Sequence, residues 1–220
     1  MILIISTIGL LSFGQGCKSM PKTVDAETLV STENVESQKP LIDHTDKYID
    51  TKYEYNDSIG KTLILENSFP KGGLIYTDLN GKEYVYAIFW TRITNETANP
   101  FEFTIDFPAD PFKLPSSVNN YFKILLPSDT MTIDKAPMFN YGLTDLESSL
   151  DNGTHKSSSL KRTINPKGSS IFYVVTLFNQ GVEGVVRAGF SLKEHNLFYR
   201  INDKEIHCGQ INIKKLKLLK

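Results

Sequence analysis

The sequence KEYVYAIFWTRITNETANPFEFTIDFP, residues 82–108, decides the fold of this chain. In its second half an apolar set alternates with a polar set: Phe101, Phe103, Ile105 and Phe107 against Glu102, Thr104 and Asp106. A side-chain period of two is typical of a strand with one buried face. In the first half, residues 84–93 are apolar on both faces, as in a central strand covered on each side. The polar run 95–100 between the two halves supplies turn residues, so the stretch predicts two strands of an all-β domain.

Short apolar runs separated by turn signals continue along the rest of the chain. They comprise residues 62–65, 74–77, 121–126, 170–178, 185–192, 197–201, 205–208 and 210–216. Together with the opening stretch they predict a series of short strands spaced by turn signals, which is typical of a two-sheet sandwich. We therefore predict an all-β fold, a two-sheet antiparallel β-sandwich with one short helix in a connection.

Three local signals refine this prediction. The Asn80-Gly81 pair predicts a hairpin with a type I′ turn, because both central residues of that turn need positive φ. Residues 165–168, Asn-Pro-Lys-Gly, predict a type I turn. Thr144 and Glu147 have the spacing of a capping box, which predicts a helix over residues 145–150.

Residues 1–16 form an uncharged apolar run that is too short to span a bilayer comfortably, and Cys17 follows it directly. With the small residue Gly16 before the cysteine, this stretch resembles the signal peptide of bacterial lipoproteins. The resemblance implies that residues 1–16 are removed, that Cys17 is acylated, palmitate included, and that the protein is anchored to the membrane through this lipid. An ordinary secretory signal with an incidental cysteine is the alternative.

The polar stretch after Cys17 has no sustained periodicity and cannot bury enough apolar surface to offset its ordering entropy. We expect residues 17–58 to be a flexible tether and residues 59–220 to be the sandwich domain. In lipoproteins of many diderm bacteria, a residue such as Lys18 after the acylated cysteine implies delivery to the outer membrane.

Two turn motifs in the domain resemble those of immunoglobulin-like sandwiches in bacterial cell-envelope proteins. The first comprises Ile93, Thr94, Asn95, Thr97 and Pro100, and the second comprises Ile164, Pro166 and Gly168. The wider sequence, including residues 69–73 and 107–110, also resembles an uncharacterised family of small exported bacterial proteins. The first likeness implies an immunoglobulin-like β-sandwich, and the second implies no activity.

Composition and motifs do not favour catalysis. A net charge of −1 provides no electrostatic field for nucleic acid. The sequence has no Gly-x-Ser-x-Gly nucleophile turn and no zinc motif. The nearest cluster of metal-ligand types is His195, His207 and Cys208, but adjacent strand residues point to opposite faces. We therefore expect no metal, no cofactor and no enzyme activity, with Cys208 buried and His207 in solvent. An envelope hydrolase on the same scaffold is the alternative.

One row of side chains suggests a binding function. Tyr84, Tyr86, Trp90 and Arg92 share one face of the first strand and combine apolar bodies with polar tips. If this face is exposed, it is a platform for a protein or glycan partner. If residues 48–55 or the proline-rich stretch over residues 108–120 cover it, it is a second small core. The sequence predicts a monomeric, non-catalytic envelope lipoprotein, a binding or accessory module, with this row as its candidate site.

Overall fold

A computed structural model of the chain describes residues 44–56, 60, 62–114, 119–182, 184–213 and 217–218. All of them belong to one compact unit, Ile42–Lys220. The predicted signal peptide, Cys17 and most of the predicted tether lie outside the described residues.

The described residues form thirteen strands in two antiparallel sheets. The strands are β1 (Ile49–Asn56), β2 (Thr62–Ser68), β3 (Lys71–Thr77), β4 (Glu83–Asn95), β5 (Phe101–Phe107), β6 (Phe112–Lys113), β7 (Tyr121–Leu125), β8 (Ser158–Ile164), β9 (Ser169–Phe178), β10 (Ala188–Lys193), β11 (Asn196–Ile201), β12 (Lys204–Ile211) and β13 (Lys217–Leu218). The larger sheet has the order β13-β1-β2-β4-β9-β7-β6, with β3 also paired to β4, and the smaller sheet has the order β10-β11-β12-β5-β8. The prediction of an all-β sandwich is confirmed.

Helical structure in the described residues is confined to short segments. Helix α1 (Leu146–Gly153) lies in the connection between β7 and β8. Short 3-10 segments occur at His44–Tyr48, Ile133–Lys135 and Phe139–Gly142. The single predicted helix is thus present, within a long connection that carries most of the irregular structure.

The two halves of the deciding stretch take the positions that their patterns predict. Strand β4 runs through the larger sheet, paired with β2 and β3 along one side and with β9 along the other. Strand β5 lies in the smaller sheet, and its four apolar residues are buried while Glu102, Thr104 and Asp106 are not. The main core lies between the sheets and contains Ala87 and Phe89 of β4. Burial of a side chain such as Phe89 contributes about 1.5–3 kcal/mol.

The domain begins earlier than the predicted boundary at residue 59. Strand β1 pairs with β2 from Ile49 to Asn56, so the last part of the predicted tether is a strand of the larger sheet. Its sequence alternates polar Asp50, Lys52 and Glu54 with partly buried neighbours, and only Tyr55 is fully buried. A strand near the sheet margin needs few apolar residues, which explains why composition placed it in the tether.

Two predicted turns are present with different backbone conformations. The hairpin between β3 and β4 forms, but only Gly81 has positive φ, so its turn is not type I′. The carboxylate of Asp78 instead accepts hydrogen bonds from the N–H groups of Asn80 and Lys82, both at 2.9 Å. In the turn at 165–168, Lys167 has a φ of 63°, which belongs to a type II rather than a type I turn.

The helix cap and the last strand also differ from the predictions. The N-cap of α1 is Asp145, and the capping box is absent because Thr144 donates from its N–H and its hydroxyl to Asp129, both at 3.2 Å. Strand β12 continues to Ile211, so the first residues of the predicted strand 210–216 belong to the preceding element. The two-residue strand β13 pairs with the end of β1 and is the outermost strand on that side of the larger sheet.

Candidate functional site

The structure places the predicted partner-binding row inside a second core. Tyr84, Tyr86 and Trp90 are buried on the face of β4 that points away from the smaller sheet, and Trp90 has 0% of its surface exposed. The platform interpretation is therefore wrong for this structure, because the largest side chain of the row has no contact surface to offer. The alternative, a covered second core, is the arrangement found.

A cover made of residues 131–143 and helix α1 buries this row. We call residues 131–143 the covering segment; Met131, Ala136, Tyr141 and Leu143 from it and Leu150 from α1 belong to the second core. Trp90 meets Tyr141 edge-on, with ring centroids 6.4 Å apart and planes at 82°. Tyr48 and Ile49 pack only at the margin of this core. The row is therefore covered by a different part of the chain from the two segments that the sequence suggested.

Lys71 of β3 holds the covering segment against the sheet. Its amine donates to the backbone oxygens of Ala136 at 2.7 Å and Met138 at 2.5 Å, and it lies 4.1 Å from the centre of the Tyr141 ring. Burial lowers the pKa of this amine. Since two carbonyls and an aromatic ring already surround the ammonium group, Lys71 serves the fold.

Arg92, the fourth residue of the predicted row, is engaged within the larger sheet. Its Nε lies 2.5 Å from the Glu66 carboxylate, and the two residues are direct neighbours on β4 and β2. Both side chains are largely buried. The Arg92 guanidinium, which the platform hypothesis had assigned to contact with a partner, is thus paired with Glu66 inside the protein.

A different surface has the properties of a binding site. The described residues include six large apolar side chains that are strongly exposed: Leu74, Ile75, Leu79, Met138, Phe139 and Val185. Leu74 and Ile75 belong to β3, and Leu79 lies in the hairpin turn after it. Met138 and Phe139 belong to the covering segment that Lys71 ties to β3. These six exposed apolar residues thus lie in and around β3, with Leu74 and Ile75 on opposite faces of the strand. We call the six residues the β3 patch.

An apolar groove opens beside β3 on its inner face. Its volume is about 680 Å³, and its lining includes Ile75, Val85, Ala87, Phe178, Val182 and Val185. Ile75 and Val85 are cross-strand neighbours on β3 and β4, and Val185 belongs to the loop that leads to β10. Ile75 and Val185 are about two-thirds exposed, at 64% and 65%. Large contiguous apolar patches are rarely exposed on soluble monomeric proteins, and where they occur they often mark interaction sites.

Two glycines shape the start of β3. Gly72 and Gly73 have φ values of 111° and 78°, and the register of β3 on β4 shifts between Gly72 and Leu74. A Cβ on Gly72 would lie 2.8 Å from the backbone oxygen of Tyr86, so this close approach requires glycine. The resulting bulge turns the strand at the mouth of the groove.

The residues considered for metal or nucleophilic chemistry are separated in the structure. Cys208 is buried with a free thiol that donates to the Leu197 oxygen at 3.4 Å, and burial raises the pKa of the thiol. His207 is exposed, 3.3 Å from the side-chain oxygen of Asn196. The predicted orientations of Cys208 and His207 are confirmed. Within the described residues no three His, Cys, Asp or Glu side chains are arranged to hold a metal ion.

The sequence did not indicate the β3 patch, and the reason is topological. Residues 74 and 75 are two adjacent apolar residues in a short run, a pattern equally typical of a strand covered on both faces. Whether such a strand lies at the margin of a sheet depends on pairings with distant segments. The only local signals are the Gly72-Gly73 pair and the unusual position of Leu79 in a polar turn.

Comparisons with known proteins add no family: no family model, curated protein or solved structure matches the chain. The described helices include none that is long and apolar enough to cross a membrane.

Proposed function

We propose that this protein is a lipid-anchored cell-envelope protein whose β-sandwich is a non-catalytic binding module for another protein. The single observation that carries the binding part is the β3 patch, whose strongly exposed apolar side chains Ile75 and Val185 line one apolar groove. The anchor part depends on Cys17 and its apolar leader, which lie outside the described residues.

The chemistry of the patch favours a protein over a glycan partner. Sugar-binding surfaces stack rings on flat aromatic faces and surround them with hydrogen-bonding groups. Here Leu74, Ile75, Leu79 and Val185 are aliphatic, and Phe139 is the one aromatic ring among the strongly exposed apolar residues that the structure describes. Aliphatic surface around a groove matches the apolar centre of protein interfaces, which excludes water around a few anchoring side chains.

The groove also bears on the alternative of an envelope hydrolase. A hydrolase site needs a pocket with polar groups that converge on a reacting bond. The groove beside β3 is instead lined mainly by Val, Ile, Ala, Phe and Gly residues. Its composition supports retention of an apolar partner surface.

The proposed site is tested by cross-linked co-purification of the full-length protein from native envelopes, followed by identification of the cross-linked proteins. Ile75→Lys places a charge at the groove with little loss of buried area, since Ile75 is 64% exposed. We expect at least one abundant cross-linked protein to be lost from the Ile75→Lys sample. Thr163→Lys is the matched control, because Thr163 is exposed on β8 of the other sheet and lies opposite Glu102.

The proposal fails if the wild-type and Ile75→Lys proteins capture the same set of partners at equal level. It also fails if Thr163→Lys removes the same partner, since that result indicates a general effect of the added charge. Circular dichroism melting of both variants shows that each one is folded at the temperature of the experiment.

A further inference from the structure

We infer that the partner contributes an extended, uncharged segment that adds to the outer edge of β3 as a new strand and places an aliphatic side chain in the groove. This inference rests on the proposed binding function and assigns its mode and the chemistry of the partner.

The outer edge of β3 is left open by the way the chain enters the sheet. Strand β1 pairs with β2 and β13 but not with β3, and its first residue, Ile49, lies opposite Ser68 at the end of β2. The chain before it turns into the 3-10 segment His44–Tyr48, where the Tyr48 oxygen accepts the Phe69 N–H at 2.9 Å. Within the described residues no strand continues the pairing along β3 beyond this point.

The register identifies the backbone groups that face outward. The Asp78 N–H donates to the Lys82 oxygen at 2.9 Å across the hairpin. Bonded and non-bonded pairs alternate in an antiparallel ladder, so Tyr76 and Leu74 bond to β4, whereas Ile75 and Thr77 direct their N–H and C=O groups away from it. These outward groups have no hydrogen-bond partner among the described residues.

The chemistry that satisfies these groups is that of another extended peptide backbone. Ile75 and Thr77 present donor and acceptor pairs two residues apart, which is the repeat of a β-strand. Strand addition to an exposed edge is a recurrent mode of peptide recognition, in which backbone hydrogen bonds hold the segment and pockets select alternate side chains. An acyl chain cannot match the repeat, because it has no hydrogen-bonding groups along its length.

The edge is short, which makes the groove necessary. The bulge at Gly72 and Gly73 ends the regular ladder, so that only the part from Leu74 to Thr77 is available to a new strand. A residue paired with Ile75 points its side chain to the same face as Ile75, and that face lines the groove. Apolar contact in the groove therefore supplements a small number of backbone hydrogen bonds.

The charges around the groove exclude an ionised side chain inside it. Lys71 is the one charged residue among the described lining residues, and its amine is already bound by the Ala136 and Met138 oxygens. A carboxylate or ammonium group entering the groove would lose its hydration without gaining a counter-ion. A neutral aliphatic side chain has no charge that must be desolvated or paired with a counter-ion. Val182 and Val185 provide apolar surface for it to contact.

The test uses a random heptapeptide library displayed on phage and selected on the full-length protein. We expect the enriched peptides to be uncharged at their centre, with aliphatic residues two positions apart. Thr77→Pro removes an outward N–H without removing a bond to β4, and Thr77→Ala keeps that N–H as the matched control. Calorimetry with synthetic copies of the enriched peptides should show binding to Thr77→Ala at wild-type strength and binding to Thr77→Pro at least ten-fold weaker.

A second measurement leaves the protein unchanged. Methylation of the backbone nitrogens of the peptide removes its donors and should also weaken binding to the wild-type protein at least ten-fold. Strand addition is wrong if the selection enriches no peptide over a parallel selection on the Ile75→Lys protein. It is also wrong if the methylated peptides bind as tightly as the unmodified ones, or if the enriched peptides carry charges at their centre.

This experiment separates the inference from the proposed function. If Ile75→Lys loses a native partner while Thr77→Pro retains it, the β3 patch binds a protein but not by strand addition. If peptides bind as expected while Ile75→Lys retains every native partner, strand addition is chemically available and the proposed function is wrong.

Discussion

The side-chain amide of Asn95 donates a hydrogen bond to the backbone oxygen of Ile164 at 3.0 Å, and this contact joins the two sheets at one end of the sandwich. Asn95 is the last residue of β4 in the larger sheet, and Ile164 is the last residue of β8 in the smaller one. The same amide donates to the Asn99 oxygen at 2.9 Å, and its oxygen accepts the Thr97 N–H at 2.9 Å. Asn95 is fully buried, so these bonds satisfy polar groups that water does not reach.

Replacement of Asn95 by alanine should destabilise the domain by about 2–4 kcal/mol. The change removes the amide donor from the Ile164 oxygen and the acceptor from the Thr97 N–H, and each buried group left unsatisfied costs about 1–3 kcal/mol. Glu96→Ala is the matched control, because Glu96 is the next residue, is partly exposed, and its side chain forms a surface ion pair with Lys167. The control should change stability by less than about 1 kcal/mol.

Urea unfolding, followed by tryptophan fluorescence, measures both variants. An Asn95→Ala effect no larger than that of Glu96→Ala would contradict the role assigned to this contact.

The sequence indicated both turns that meet at Asn95 but not their contact. Residues 95–100 and 165–168 were recognised separately from their turn composition, since Asn, Pro and Gly have local conformational preferences. Their association depends on the backbone oxygen of Asn95, which accepts the Lys167 N–H at 2.7 Å. This bond accompanies the positive φ of Lys167, so a contact across about 70 residues of sequence is coupled to the turn type that local rules predicted wrongly.

The candidate site shows the same division between local and long-range information. Period-two patterning was sufficient to predict β5 and the inward direction of Cys208, because a strand alternates faces whatever it packs against. A run that is apolar on both faces was sufficient to predict β4. It did not reveal that the covering segment closes over Trp90, or that β1 begins opposite Ser68 and that no described strand continues the pairing along β3. Exposure of a strand face depends on which distant segment packs on it, and no repeat within the strand encodes that choice.

Replacement of Trp90 by alanine should cost about 3–5 kcal/mol of stability, the range for loss of a large buried aromatic side chain. Trp90 is fully buried and contacts Tyr141 of the covering segment. Phe139→Ala is the matched control: it removes a neighbouring aromatic ring that is 76% exposed and should change stability by less than about 0.5 kcal/mol.

Since Trp90 is the single tryptophan of the chain, far-ultraviolet circular dichroism should follow the unfolding of this pair. Equal unfolding midpoints for the two variants would show that the second core does not depend on Trp90.

Replacement of Cys17 by serine should release the protein from the membrane fraction. Two or three acyl chains on one residue give stable anchoring, and a serine in this position cannot form the thioether that begins acylation. Metabolic labelling with a palmitate analogue and fractionation of the envelope measure the two effects. Cys208→Ser is the matched control, because that thiol is buried in the domain and should not affect labelling. Equal labelling of wild-type and Cys17→Ser protein would contradict the proposal that Cys17 carries the lipid anchor.

Replacement of Tyr55 by phenylalanine should reduce the loss of stability at high pH. Burial raises the pKa of Tyr55 to about 12, although the Leu192 N–H, which donates to its hydroxyl at 2.8 Å, opposes this effect. The pKa of an unfolded tyrosine is about 10. Below pH 10 the tyrosine is protonated in both the folded and the unfolded state, so its ionisation does not reduce the stability. Between pH 10 and pH 12 the unfolded state ionises first, and the free energy of unfolding therefore falls as the pH rises. Phenylalanine does not titrate, and its variant should show a shallower fall of the urea midpoint between pH 9 and pH 11.5.

Tyr173 provides an independent comparison for the same effect. Burial also raises its pKa to about 12, and its hydroxyl donates to the Tyr141 oxygen at 2.7 Å in the second core. Tyr173→Phe should likewise make the fall shallower, and the double variant should have the smallest slope because the two tyrosines lie in different cores. A slope equal to that of the wild-type protein for Tyr55→Phe would mean that Tyr55 ionises equally in the folded and unfolded states, and that its hydroxyl is not held in the protonated form by burial.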